Sequence, residues 1–309
     1  MSRINWPDGK RFAFTVFDDT DLATKRNVTE VYELLYELGF RTTKSVWPLA
    51  GPGDARLSGD TCSDQQYLNW VLDLQQKGFE IGFHGATYHT SDRGQTRAGF
   101  LEFAHRFGPS PVTMAAHSMN AENIYWGADR LTGMNRCIYN CLTRFQRRGK
   151  FRGHVPTDPL FWGDICEEHV KYHRNFVFAD INTIRMCPMM PYHDTKRPHV
   201  RYWFASSDGH DLPTYNRLLS QRNVERLASE GGACIVYTHF GAGFWTADGV
   251  DQMFERSMRT LAKLDGWFVP VGVLLDFLIE QGAGRNIKDA ERARLERRWL
   301  IDKLRLGYS

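Results

Sequence analysis

The chain has 309 residues, 42% of them hydrophobic, and 39 Lys and Arg stand against 36 Asp and Glu for a formal net charge of +3. That apolar content excludes a disordered chain, and the balanced charge, with no basic block, argues against nucleic-acid binding. No window approaches the roughly 18 uninterrupted apolar residues of a membrane-spanning helix, the first residues hold no signal-peptide core, and Cys62, Cys137, Cys141, Cys166, Cys187 and Cys234 follow no disulfide spacing, so a cytoplasmic protein with reduced thiols is expected.

Arg11 to Phe17 (R-F-A-F-T-V-F) reads as a buried strand. Asn27 is placed as the cap of a helix through Val31, Leu34, Leu35 and Leu38 that stops at Gly39. Thr43 to Trp47 is a short strand, and Tyr67, Leu68, Val71, Leu72 and Leu74 mark a helix closed by Gly78. Phe79 to Phe83 is a strand, Gln95 to Phe107 a helix, Val112 to Ala116 a strand, and Asp129 to Gln146 a weaker helix. Gly163 to Tyr172 reads as helix, Phe176 to Ile181 and Val200 to Ala205 as strands, followed by a helix through Leu218, Leu219, Val224 and Leu227. Ala233 to Thr238 is a strand, and Val250, Met253, Phe254, Met258, Leu261 and Leu264 form one helical face. Trp267 to Val269 is a last strand and Val271 to Glu280 a last core helix.

Seven or eight strand-then-helix units imply an α/β fold with a parallel sheet, and at this count a closed (β/α) barrel. An open doubly wound sheet would want a glycine-rich phosphate loop after the first strand, where this chain has D-D-T-D. Residues 147–162 and 185–199, rich in Gly and Pro, read as long loops of the kind that are often functional. Residues 1–284 are assigned to one barrel domain. Residues 285–309 form a charged helical tail with Ile287, Leu295, Trp299 and Leu304 on its apolar side, able to pack on the barrel or on a second copy in a homo-oligomer.

Active-site groups of such barrels sit where strands end. Here Asp18, Asp19 and Asp21 follow the first strand, His84 and His89 the third, and His117 the fourth. Asp180 ends the fifth, Ser206, Ser207 and Asp208 the sixth, and His239 the seventh. Adjacent Asp18 and Asp19 would repel one another, and a divalent cation would relieve this; the plainer alternative is a polar turn or helix cap. Asp19, His84 and His89 would supply three ligands of a zinc site with one position open, unless the histidines are unrelated loop residues. His239 could be a general acid or a satisfied core histidine. His169 and His173, four apart on the expected helix, form a rival half-site. Trp47, Trp126, Trp162 and Trp245 could stack on sugar rings or simply pack, and Lys196 and Arg197 could meet a phosphate or lie on a solvated loop.

The segments T-V-F-D-D-T (Thr15 to Thr20), E-I-G-F-H-G-A-T-Y-H (Glu80 to His89) and V-Y-T-H (ending at His239) resemble, in order and context, the motifs of the polysaccharide deacetylase family. The resemblance implies a deformed barrel of seven or eight strands holding a divalent metal, zinc in many members. It casts Asp18 as general base, Asp19, His84 and His89 as metal ligands and His239 as general acid, with Asp180 partnering that histidine. The implied reaction is hydrolysis of an amide, such as the N-acetyl group of a sugar or glycan precursor, by a water that the metal activates. Three departures mark a divergent branch. The histidines are five apart rather than four, Thr20 replaces a glycine, and the family's Arg-x-Pro motif after the fourth strand reads M-A-A-H-S-M-N, which puts His117 and Asn120 in the arginine's place. With Trp126 and Trp245 they are assigned to the carbohydrate substrate. A non-catalytic carbohydrate-binding or assembly protein that retains the barrel is the alternative.

Overall fold

The computed structural model describes residues 4–306 except Asp54, Arg56, Ser110, Pro111 and Met119. Residues 1–3, and residues 307–309 of the expected tail, lie outside the described residues. In chain order the elements are β1 Phe12–Asp18, α1 Lys25–Glu37, β2 Thr43–Val46, α2 Gln65–Gln76, β3 Glu80–Phe83, α3 Arg93–Phe107, β4 Val112–Met114 and α4 Gly133–Leu142. There follow α5 Gly163–His169, β5 Val170–Phe178, α6 Thr183–Met186, β6 Tyr202–Asp208, α7 Leu212–Leu218, α8 Gln221–Glu230 and β7 Ala233–Thr238. The hairpin β8 Trp245–Thr246 and β9 Gly249–Val250 precedes α9 Gln252–Ala262, β10 Gly266–Trp267, α10 Val271–Glu280 and α11 Asp289–Leu306.

Strands β1 to β7 are parallel neighbours in sequence order, and β1 pairs with β7 to close a seven-stranded barrel. A strand has two hydrogen-bonding edges. On β1, β7 occupies one along Ala13 to Asp18, so β10 and β2 share the other, β10 at Phe12 and Ala13 and β2 at Phe17 and Asp18. This shared edge is the barrel's deformation. The interior is filled by side chains such as Phe17 and Phe204, whose rings lie 6.2 Å apart. No described helix is long and apolar enough to cross a membrane.

Local differences from the sequence reading have local causes. Thr24, not Asn27, caps α1; Asn27 completes a capping box by accepting from the Thr24 amide. Asp92 and Gln95 do the same for α3. The expected helix through Tyr172 stops at His169, because β5 starts at Val170 and runs alongside β4 and β6. The helix expected over residues 129–146 begins only at Gly133, after a 3₁₀ turn over Gly127–Arg130.

The expected tail is α11, with Leu295, Trp299 and Leu300 buried. Glu296, fully buried, accepts from the Thr132 amide and from Asn135 Nδ2 and lies 3.2 Å from Arg197. Arg292 of α11 grips Asp194, which also pairs with Arg197. The loop over 185–199 therefore clamps the C-terminal helix. Its Lys196 pairs with Asp289 at 3.2 Å, so neither Lys196 nor Arg197 is left to hold a phosphate.

Candidate active site

Successive residues of a strand face opposite sides, and this separates the two aspartates at the end of β1. Asp18 points outward, under α1. Its Oδ2 lies 3.0 Å from Lys44 Nζ and accepts from Tyr32 Oη at 2.9 Å, while Oδ1 accepts from the Phe240 amide at 2.8 Å. Asp18 and Lys44 are both fully buried. The carboxylate cast as general base is thus committed to a structural ion pair. Asp19 points inward, where Arg174 of β5 donates to both of its oxygens, one at 2.8 Å and one at 2.5 Å. The repulsion expected between the two is relieved by one side-chain cation for each.

Asp21 shares the inward side with Asp19, two residues on. Its carboxylate lies 2.9 Å from His84 Nε2, 2.8 Å from His117 Nε2 and 3.6 Å from His239 Nε2. Burial alone would raise its pKa, but the His84 and His117 rings hold it well below the usual carboxylate range. The same contact raises the His117 pKa against the effect of burial.

His117 Nδ1 faces Asn120 Oδ1 at 3.0 Å, and Asn120 Nδ2 donates to the His89 carbonyl and to Glu122 Oε1. With a proton on Nδ1, this chain of contacts directs Nε2 at Asp21. Trp47, fully buried, walls both rings with its centroid 5.7 Å from each. His239 Nδ1 is set on the His210 carbonyl at 2.7 Å, and its Nε2 meets Tyr237 Oη at 3.2 Å, facing the cavity.

Asp19, Asp21, His84 and His239 line a cavity of about 200 Å³ that also exposes Trp126, Arg130, Arg174 and Trp299. One ligand-type atom from each of Asp19, Asp21 and His239 lies within 4.8 Å of the others. Buried His84 Nδ1 has no hydrogen-bond partner among the described residues and lies 4.0 Å from Asp19 Oδ1. Two buried carboxylates faced by imidazole nitrogens are a donor set that fits a divalent cation.

Several expected residues lie elsewhere. His89 turns away from Asp21, with Nε2 3.5 Å from the Gly53 carbonyl and its ring 4.8 Å from that of Tyr88. Asp180 accepts from the Asn182 amide and pairs with Arg185 and Arg226, tying α6 to α8 rather than partnering His239. Asn120 serves His117 and lines an adjoining opening with His89 and His117, not the cavity of Asp19 and Asp21. Of the tryptophans, Trp126 lines the cavity, Trp47 and Trp162 are buried packing groups, and Trp245 lies 5.9 Å from Arg26. His169 and His173 fall on different elements. Burial pushes His173 down to about 4, and its Nδ1 is taken by the Arg174 carbonyl.

Two residues of the cluster escaped the motif pattern. Asp21 was legible only as a further carboxylate after the first strand; the turn that aims it inward lies beyond β1. Arg174 was hidden because the first residues of its strand were read as a helix ending at Tyr172 and the strand was begun only at Phe176, leaving Arg174 in neither.

No family model and no curated protein sequence matches the chain. Solved structures do. A Mycobacterium smegmatis protein assigned as a polysaccharide deacetylase matches with a TM-score of 0.51 and 12% identity, over 92% of this chain and 95% of its own. The PuuE allantoinase matches with a TM-score of 0.51 and 11% identity, over 90% and 93%. The architecture expected from the sequence, a deformed barrel of the polysaccharide deacetylase kind, is the one observed.

Proposed function

We propose that this chain, which has the polysaccharide deacetylase fold, is a metal-dependent hydrolase of amide bonds that removes the acyl group from an N-acylated sugar or glycan precursor. The observation that carries the reading is the meeting of Asp19, Asp21, His84 and His239 around one cavity, with His117 set against Asp21 at 2.8 Å. Asp21, His84 and His117 are the proposed ligands. Asp19 is the weaker candidate, since ligation would compete with both of its bonds to Arg174. A carboxylate with two imidazoles suits zinc. Bound there, the ion would polarise the amide carbonyl and acidify a water.

The remaining roles belong to the chain's own groups. Asp19, aimed by the Arg174 fork, accepts the proton of the attacking water. His239, anchored through Nδ1, delivers a proton from Nε2 to the leaving nitrogen. Trp126 offers an apolar face to the substrate. The departure that motivated a non-catalytic reading, the missing motif arginine, loses its force because Arg174 pairs with the aspartate from another strand.

The test is elemental analysis of wild type, Asp21→Asn and His89→Ala, followed by acetate release from N-acetyl sugars. About one zinc-like ion per chain is expected in wild type and His89→Ala and none in Asp21→Asn. A wild type that takes up no metal on titration sinks the proposal.

A further inference from the structure

The cavity carries more positive charge than this chemistry uses. Arg174 is occupied by Asp19, but Arg130 is not occupied by any acid. It ends the 3₁₀ turn over Gly127–Arg130, is 8% exposed, lines the cavity, and has no carboxylate partner among the described residues. Its Nε has no hydrogen-bond partner either. Its Cζ sits 3.3 Å from the centre of the Trp126 ring and 5.7 Å from that of Trp299, so the head group is held between two aromatic residues. Arg147 reaches the same cavity, again without an acidic partner among the described residues, whereas Lys303, which lines it from α11, lies 3.9 Å from Asp208. Of the two carboxylates on the wall, Asp19 is neutralised by Arg174 and Asp21 faces imidazoles.

A guanidinium stays charged, and burying it without an anion costs several kcal/mol. Stacking on Trp126 offsets a part of that. Burial, with the nearby Arg174 and Arg147 charges, disfavours the cation further. An anion arriving with the substrate would relieve all of these at once, and Arg binds planar or tetrahedral oxyanions through paired N–H groups.

Resting on the hydrolase reading, we propose that Arg130, seconded by Arg147, binds an anionic group of the substrate, so that the amide hydrolysed here belongs to a carboxylate- or phosphate-bearing molecule rather than a neutral glycan. The anion on Arg130 would fix which end of the molecule faces Asp21 and His239.

Calorimetric titration of chelator-treated full-length protein tests this with three probes: N-acetylglycine for a carboxylate, inorganic phosphate, and neutral N-acetylglucosamine. At least one anion should bind better than the neutral sugar, and which one binds assigns the group. Arg130→Gln should weaken that anion about tenfold or more, with Arg130→Lys intermediate, as expected for a lost charge-assisted contact. Arg147→Gln should weaken it several-fold and decides the matter if Arg130→Gln does not fold. Unchanged anion affinity in a folded Arg130→Gln, or in Arg147→Gln alone if the first is unfolded, overturns the inference. So does a wild type that binds neither anion. The metal content of the same preparations, measured before the chelator is added and again after titration with zinc, keeps the two proposals apart. Metal without anion binding removes only the anion site, and anion binding without metal uptake removes only the hydrolase.

Discussion

Asp18 and Asp19 meet opposite partners, and their substitutions should differ accordingly. Asp18→Asn leaves Lys44 buried without its counter-charge, at a cost of about 3 kcal/mol. The urea midpoint should fall, while the folded fraction keeps its metal and its turnover. Asp19→Asn also frees a buried cation, Arg174, but its folded fraction should lose turnover by about 10²-fold or more, as for a removed general base. Equal turnover in the two folded variants would remove Asp19 from the proton transfer. Glu122 gives a pH signature. It accepts from Asn120, which orients His117, and burial pushes its pKa from 4.5 to about 7. Between those values the folded state holds a proton that the unfolded state has released, so stability falls as pH rises through this window. The slope is about 1.4 kcal/mol per pH unit at most. Stability measured from pH 4.5 to 7 should flatten in Glu122→Gln.

At the scale of elements, most strands and helices were legible because β-branched and aromatic runs alternate with amphipathic ones, but their ends were less so. Thr24 caps α1 three residues before the expected start, as the side chain that closes the turn precedes the apolar face. β5 was misread because a strand packed on both sides carries no alternation, and K-Y-H-R-N looks as much like a helix surface as a strand. That misreading concealed Arg174. α11 was legible as a charged helix, but its sparse apolar side understated its attachment. Glu296→Ala deletes the acceptor shared by Thr132, Asn135 and Arg197. It should cost about 3 kcal/mol in chemical denaturation, and it should loosen Trp299 and Lys303 from the cavity wall. An unchanged midpoint would mean that α11 is held by its apolar contacts alone.

At the scale of the molecule, barrel closure gathers the ends of β1, β3, β5 and β7, and the loop after β4, around one cavity. An ion that binds only the folded barrel must stabilise it by mass action, by about 2.7 kcal/mol at a hundred times its dissociation constant. Removal by chelator should therefore lower the melting temperature of wild type by about 5 °C. Asp21→Asn should not respond. A wild-type transition indifferent to chelator and to added zinc would leave the Asp21 cluster as a purely structural network.

The sequence by itself determined the barrel class, the end of the sheet that carries chemistry, and the residues from which a metal site could be drawn. Strand periodicity and the chemistry of residue types are local properties. It did not determine which histidine joins which aspartate. His84, His89 and His117 all follow strands, yet the turn after Gly85 sends His89 to the Gly53 carbonyl, while His117, brought alongside by the pairing of β3 with β4, reaches Asp21. Nor did it determine that Arg174 neutralises Asp19, or that a helix from the far end of the chain walls the cavity beside Arg130. Those contacts span 155 and more residues of sequence. They exist only because a closed parallel barrel makes neighbours of groups that no local pattern connects.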